Sequence, residues 1–321
     1  MKAHPCKYIV KEDFDYNPSY GDTTDEERTT HFKKGEVYVF EPYLGKCYKE
    51  GEMSLVTHIL PEMNNHFVWR EEFFKEHFIK KIMNKLKTVT FTGIDEMTDI
   101  ERLVDIQNRY PYAEFGVLMS MNWAENGNRY PNPDILDRLC GHGLHLSLHL
   151  CGRLSRESFM GNWSDLLEIC QVNEEKVGMF DRIQLNVAHQ GVDGLIKIDG
   201  CPFDVKQFII QQRSPDDCDL YKINEENPLI SMLCDMSGGR GVFDMAFLPY
   251  VGKTSKMVGY AGGLDEDNVI FRLYQIEESE PENDYWIDME SSLRRNENDL
   301  FDLDTIERIL EKIDKWMKNY G

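Results

Sequence analysis

From Thr88 to the end of the chain, short apolar runs with strand character alternate with helix-like runs, and they do so eight times. The strand-like runs are Thr88 to Gly93, Glu114 to Ser120, Leu144 to Leu150, Arg182 to Ala188, Lys206 to Gln212, Leu229 to Met236, Lys256 to Gly263 and Tyr285 to Ser291. Alternation of this kind signals β-α units stacked around parallel strands. Eight units match a (β/α)₈ barrel, in which catalytic groups sit at the carboxyl ends of the strands and phosphate sites follow strands seven and eight. A doubly wound open sheet is the competing architecture, but no G-x-G-x-x-G follows an early strand.

Helix starts punctuate the pattern. Thr98 and Glu101 have the spacing of a capping box ahead of Ile100, Leu103 and Val104, and Asn132-Pro133 places a cap and a first-turn proline before Ile135, Leu136 and Leu139. Ile306, Ile309, Leu310, Ile313, Trp316 and Met317 form one apolar stripe able to lie against a barrel wall.

Residues 1–85 read differently, as a small domain preceding a barrel over 86–321. Phe32 to Leu44 and the runs SLVTHIL and HFVWREEFF have strand character, which predicts a small mostly-β, barrel-like unit. Phe73, Phe74, Phe78, Ile79 and Ile82 recur at helical spacing and predict a linking helix. Tyr16 to Thr30 reads as a polar, turn-rich loop. Tyr38, Phe40, Tyr43, Phe67 and Trp69 supply either a core or the contact surface for a protein partner.

Charge and composition narrow the functions. Lys+Arg 36 against Asp+Glu 57 leaves a net charge of −21, which opposes the counterion release that drives nucleic-acid binding. No run approaches a membrane span, and the start MKAHPCKYIVKED lacks the apolar middle of a signal peptide. The eight cysteines form no C-x-x-C unit. These features predict a soluble cytoplasmic protein with reduced thiols.

The chemistry-bearing residues cluster at strand ends. Asp235 is followed by Met236-Ser237-Gly238-Gly239-Arg240-Gly241, where glycine allows backbone N–H groups to approach an anion and Arg240 adds a charged donor. The seventh run ends in Gly262-Gly263 and the eighth in Glu290-Ser291-Ser292. Together these loops predict a cup for a phosphate. On the third run His145, Ser147, His149 and Cys151 share one strand face; His145 and Cys151 suit interior packing, and His149 is the better acid/base candidate. A metal-assisted hydrolase would rest on His145, His149 and Cys151 alone, and no ligands from neighbouring strands complete a metal site. The amides Gln184, Asn186, Gln211 and Gln212 either line a pocket or tie barrel layers together, and Arg153 and Arg294 read as solvated loop residues.

LCDMSGGRGVFD, GYAGGLDEDNV and WIDMESSLRRNENDLFDLDTIERI resemble, in order, the sixth, seventh and eighth β-α segments of phosphoribosylanthranilate isomerase, a (β/α)₈ enzyme of tryptophan biosynthesis that performs an Amadori rearrangement. TFTGIDEMTDI, NRYPNPDILDRL and LHLCG resemble its earlier segments, so the resemblance covers residues 88 to 321. It implies an aldose-ketose isomerase acting on a small phosphorylated sugar without cofactor. Asp235 then matches the general acid, Arg129 the arginine pairing a substrate carboxylate, and Gly262, Gly263, Ser291 and Ser292 phosphate-site positions. The sequence departs from the family at its general base, a cysteine whose position is taken by Thr92, and at the preceding basic residue, taken by Thr90. An alcohol forms no useful anion near neutral pH. The alternative reading is therefore a diverged phosphate-ligand binding protein whose amino-terminal domain contacts a partner.

Overall fold

The computed structural model describes residues 85–125, 127–187, 194–212, 224–235, 256–278, 284–295 and 299–320, together with the backbone of seven strands in the first 84 residues. The chain divides into two compact units, Met1–Asn84 and Lys85–Asn319.

The first unit contains β1 (Cys6–Val10), β2 (Phe14–Tyr16), β3 (Thr30–Phe32), β4 (Val37–Glu41), β5 (Lys46–Lys49), β6 (Leu55–His58) and β7 (Phe78–Lys80). Five of these form a sheet in the order β6-β5-β4-β1-β7, and β2 pairs with β3. Phe78 and Ile79, expected on a linking helix, instead lie in β7, antiparallel to β1 with Ile79 opposite Ile9. Pairing with a β-branched neighbour overrides the local helical spacing, as tertiary context commonly does for short apolar runs. The run HFVWREEFF, with Phe67 and Trp69, lies outside the described residues, as do Phe73, Phe74 and Ile82.

In the second unit β8 (Leu86–Thr92), β9 (Ala113–Met119), β10 (Leu146–Cys151), β11 (Arg182–Asn186), β12 (Gln207–Gln212), β13 (Ile230–Cys234), β14 (Val258–Ala261) and β15 (Tyr285–Met289) form a closed barrel. Every pairing within it is parallel, and β15 closes on β8 with Asp288 opposite Thr90. This is a (β/α)₈ barrel, and each of its strands overlaps one of the eight apolar runs, with β8, β9 and β10 extending one or two residues beyond theirs. Near-continuous burial explains their apolar character: β9 and β13 are buried at every position, as strands covered on both faces must be.

Helices α1 (Ile100–Arg109), α2 (Ile135–Leu139), α3 (Gly152–Phe159), α4 (Ser164–Cys170), α5 (Val269–Glu278) and α6 (Leu303–Tyr320) cover the outside. The apolar stripe of α6 is buried from Ile306 through Trp316, with Met317 at its edge. The cap of α1 is Asp99, whose carboxylate accepts from Arg102 N at 3.1 Å, and not Thr98. Thr98 is withdrawn because its hydroxyl is held by Asp95 at 3.0 Å.

The barrel interior has an aromatic plug and a buried ion pair. Trp286 is fully buried against Ile209 and Leu233. A Cβ on Gly259 would stand 2.2 Å from its ring, so only glycine admits the indole there. Over the same ring lies the Arg182 guanidinium, 4.8 Å from the centroid. Arg182 grips Glu114 with Nε at 2.8 Å and also with Nη2, while its Nη2 donates to Thr90 Oγ1 at 2.7 Å. Thr90 in turn donates to Glu114 Oε1 at 3.0 Å.

Candidate functional site

The carboxyl ends of the barrel strands surround a cavity of about 650 Å³. Asp235 continues the ladder beyond β13, its N–H donating to Gln212 O at 2.9 Å, and its side chain lines the cavity in a buried position. Gln211 Nε2 donates to Asp235 Oδ2 at 2.7 Å, a bond that orients the carboxyl.

Gly262, Gly263, Ser291 and Ser292 line this same cavity. Both glycines have positive φ, 98° and 61°, a conformation that favours glycine and turns the chain sharply after β14. The backbone N–H groups of Gly263, Leu264, Ser291 and Ser292 donate to no group among the described residues. Ser292 is less available than its hydroxyl implied, because its Oγ donates to Leu264 O at 2.7 Å and so ties the two loops together. Asp265 accepts from the N–H groups of Asp267 and Asn268 at 2.9 and 2.8 Å, closing the turn before α5. Gly238, Gly239 and Arg240 lie outside the described residues.

Arg129 also reaches the cavity, although it does not point an unengaged fork into it. Its Nε donates to Glu290 Oε1 at 2.6 Å, its Nη2 donates to the same oxygen, and Nη2 lies 3.4 Å from Ser291 Oγ.

Thr92 is fully buried and donates its hydroxyl to Asp288 Oδ1 at 2.8 Å. Gly116 on β9 makes room for it: a Cβ there would stand 2.4 Å from Thr92 Oγ1. The other Asp288 oxygen is 3.9 Å from His149 Nδ1, and His149 Nε2 shares a hydrogen bond with Ser147 Oγ at 2.9 Å. Burial pushes the Asp288 carboxyl well above the usual carboxylate range, with the Thr92 bond only partly offsetting it. Burial, with the Arg182 charge adding to it, pushes His149 down to about 3. Both shifts favour the uncharged forms, a protonated carboxyl beside a neutral imidazole. Asp288 lines the cavity, whereas His149 stands behind it.

Asp288 escaped the sequence reading. Its signal is the alternation Trp286, Asp288, Glu290 along the eighth run, which turns three side chains toward the barrel axis. His145, expected inside the barrel on the face of His149, is exposed ahead of β10 with Nδ1 2.9 Å from Asp181 Oδ2. The strand begins one residue later, so the alternation does not extend to it. Among the described residues no cluster of His, Cys, Asp and Glu could hold a metal.

The undecided amides divide. Gln184, Asn186 and Gln211 line the cavity, while Gln212 is buried without lining it. Arg153 is a surface residue paired with Asp165 at 3.1 Å, as expected. Arg294 is not solvated: its side chain is 6% exposed, and its guanidinium donates to Asp299 O at 2.5 Å and Gly93 O at 3.0 Å. Carbonyls that converge only in the folded loops bury it.

Among solved structures the chain is similar to the crystal structure of phosphoribosyl anthranilate isomerase from Thermus thermophilus. The likeness covers 71% of this chain and 99% of that one, at 14% identity and a TM-score of 0.46. No protein-family model and no curated protein matches the chain. The barrel assignment rests on the strand order itself. No helix among the described residues is long and apolar enough to cross a membrane.

Proposed function

We propose that the second unit is an isomerase that converts a small phosphorylated aldose or aminoaldose to its ketose form. One observation carries this reading: four backbone N–H groups from the loops after β14 and β15, which donate to no group among the described residues, belong to residues lining the same cavity as the carboxyls of Asp235 and Asp288. Grouped amides suit a phosphate, and two carboxyls in different environments suit acid-base chemistry.

The rearrangement needs a proton delivered to the ring oxygen as the ring C–O bond breaks, then removal of the C2 proton to give an enol or enamine that tautomerises to the ketose. The family resemblance gives the acid role to Asp235. Burial favours the reverse division, because a carboxyl kept protonated is ready to donate and Thr92 stabilises the anion left behind. Asp288 is then the acid that opens the ring, and Asp235 the base at C2. No thiol is required.

A second reading, a phosphate-ligand binding protein without turnover, is favoured by Thr92, which puts no ionisable group at the first-strand position. Partner contact through the first unit belongs to that reading.

The test is incubation of the purified protein with phosphorylated aldoses and aminoaldoses in deuterated water. Conversion with deuterium incorporated at C1 of the ketose is expected, and Asp235→Asn should abolish the incorporation. Thermal stabilisation by these compounds without conversion or exchange would favour the binding reading.

A further inference from the structure

The barrel's closed strand order fixes which walls of the cavity face each other. In the ring of eight, β10 lies four places from β14, and β11 lies four places from β15. The phosphate-facing amides are therefore opposite the ends of β10 and β11, where Cys151, Gln184 and Asn186 line the cavity.

Among the described residues that opposite wall is polar and uncharged. Gln184 Nε2 donates to Asn186 Oδ1 at 3.0 Å, and Asn186 Nδ2 donates to Cys151 Sγ at 3.3 Å. Tyr130 also hydrogen-bonds to Cys151. Burial raises the pKa of both the Cys151 thiol and the Tyr130 phenol, keeping them neutral. Among the described residues lining the cavity, Arg129 is the one cation, and Glu290 and Ser291 hold it on the phosphate side.

A carboxylate placed against the opposite wall would lose water and meet no cationic side chain among the described residues, a cost that neutral hydrogen-bonding groups avoid. Resting on the phosphosugar reading of this cavity, we infer that the half of the ligand remote from its phosphate is an uncharged, hydrogen-bonding group, hydroxylated or amide-bearing, and carries no carboxylate. This separates the chain's ligand from one ending in an aminobenzoate.

The test uses two unreactive phosphopentitol amines, identical except that one carries an aminobenzamide and the other an aminobenzoate, titrated calorimetrically into the full-length protein. The amide should bind at least tenfold more tightly. Glu290→Gln, which releases Arg129, should narrow that ratio by strengthening aminobenzoate binding, with the fold checked by circular dichroism. Equal or tighter binding of the aminobenzoate by the wild type, lost in Arg129→Gln, overturns the inference. If neither phosphorylated compound binds, the phosphate reading fails, and the unphosphorylated pair decides the inference: amide preference supports it, whereas carboxylate preference or no binding by either overturns it.

Discussion

Thr92 hands its hydroxyl proton to Asp288 across the seam where the last barrel strand closes on the first, 2.8 Å from oxygen to oxygen. The bond puts a carboxyl beside a buried alcohol of the first barrel strand. Thr92→Val should leave Asp288 buried without its donor and raise its pKa further. With Asp288 as the proton donor, the alkaline limb of the pH-rate profile should move upward in this variant. An unmoved limb would separate Asp288 from the rate.

Asp288→Asn keeps the shape of the group but cannot deliver a proton. Turnover should fall by roughly 10²- to 10⁴-fold, the usual contribution of a positioned acid. Stabilisation by ligand, read as a shift in Tm, should persist.

Stability should depend on pH with opposite signs at two neighbouring groups. A raised carboxyl pKa means the native state holds a proton that the unfolded chain releases above about 4, so Asp288 costs stability as pH rises toward its folded value. His149, pushed down to about 3, stays neutral in the native state while the unfolded chain takes up a proton below about 6.5. Its contribution is lost as pH falls from that range toward 3. Urea denaturation should therefore show Asp288→Asn gaining on the wild type as pH rises from about 4 toward the folded value, at up to about 1.4 kcal/mol per pH unit. His149→Gln should flatten the decline on the acid side.

Gly259→Ala inserts a methyl where the Trp286 ring lies 2.2 Å from the ideal Cβ position, with Leu233 at 2.6 Å. Neither neighbour is a flexible chain end, so overpacking should destabilise the barrel by about 1–3 kcal/mol in denaturant melts. Gly116→Ala should also destabilise the barrel, because the added methyl meets Thr92 Oγ1 at 2.4 Å and the backbone Cα of Thr92 at 3.0 Å. It should weaken the Thr92 bond to Asp288 as well.

Glu114→Gln strands the Arg182 guanidinium, whose side chain is 6% exposed. Removing one partner of a buried pair typically costs about 3–5 kcal/mol, whereas replacing both by apolar groups can be neutral. Chemical denaturation of Glu114→Gln beside Glu114→Leu/Arg182→Met measures that difference.

The strands were legible because burial on both faces leaves apolar runs, and their number alone pointed to closure. That the glycine and serine loops share one cavity was legible because they follow neighbouring barrel strands at the same end. Asp288 was not, since a carboxylate within a strand gives no sign of which face it occupies until the barrel closes and brings Thr92 beside it. Arg294 and Arg129 were misjudged or only half-read for a related reason. Their partners, Gly93 O and Asp299 O for one and Glu290 for the other, are distant in sequence or supplied by loop backbone, and no local pattern encodes them. His145 shows the limit of periodicity at an element's end, where one residue decides inside from outside.

The stacked layer of Trp286, Arg182 and Glu114 lies below the carboxyls of Asp235 and Asp288, and two of its members line a separate hollow of about 330 Å³ reached from the amino-terminal ends of the strands. That layer works as a bulkhead. Solutes gathering at the lower hollow have no straight passage to Asp288, so anything that occupies the upper cavity must enter by the upper mouth, and changes made to the underside can be used to tune robustness separately from that cavity.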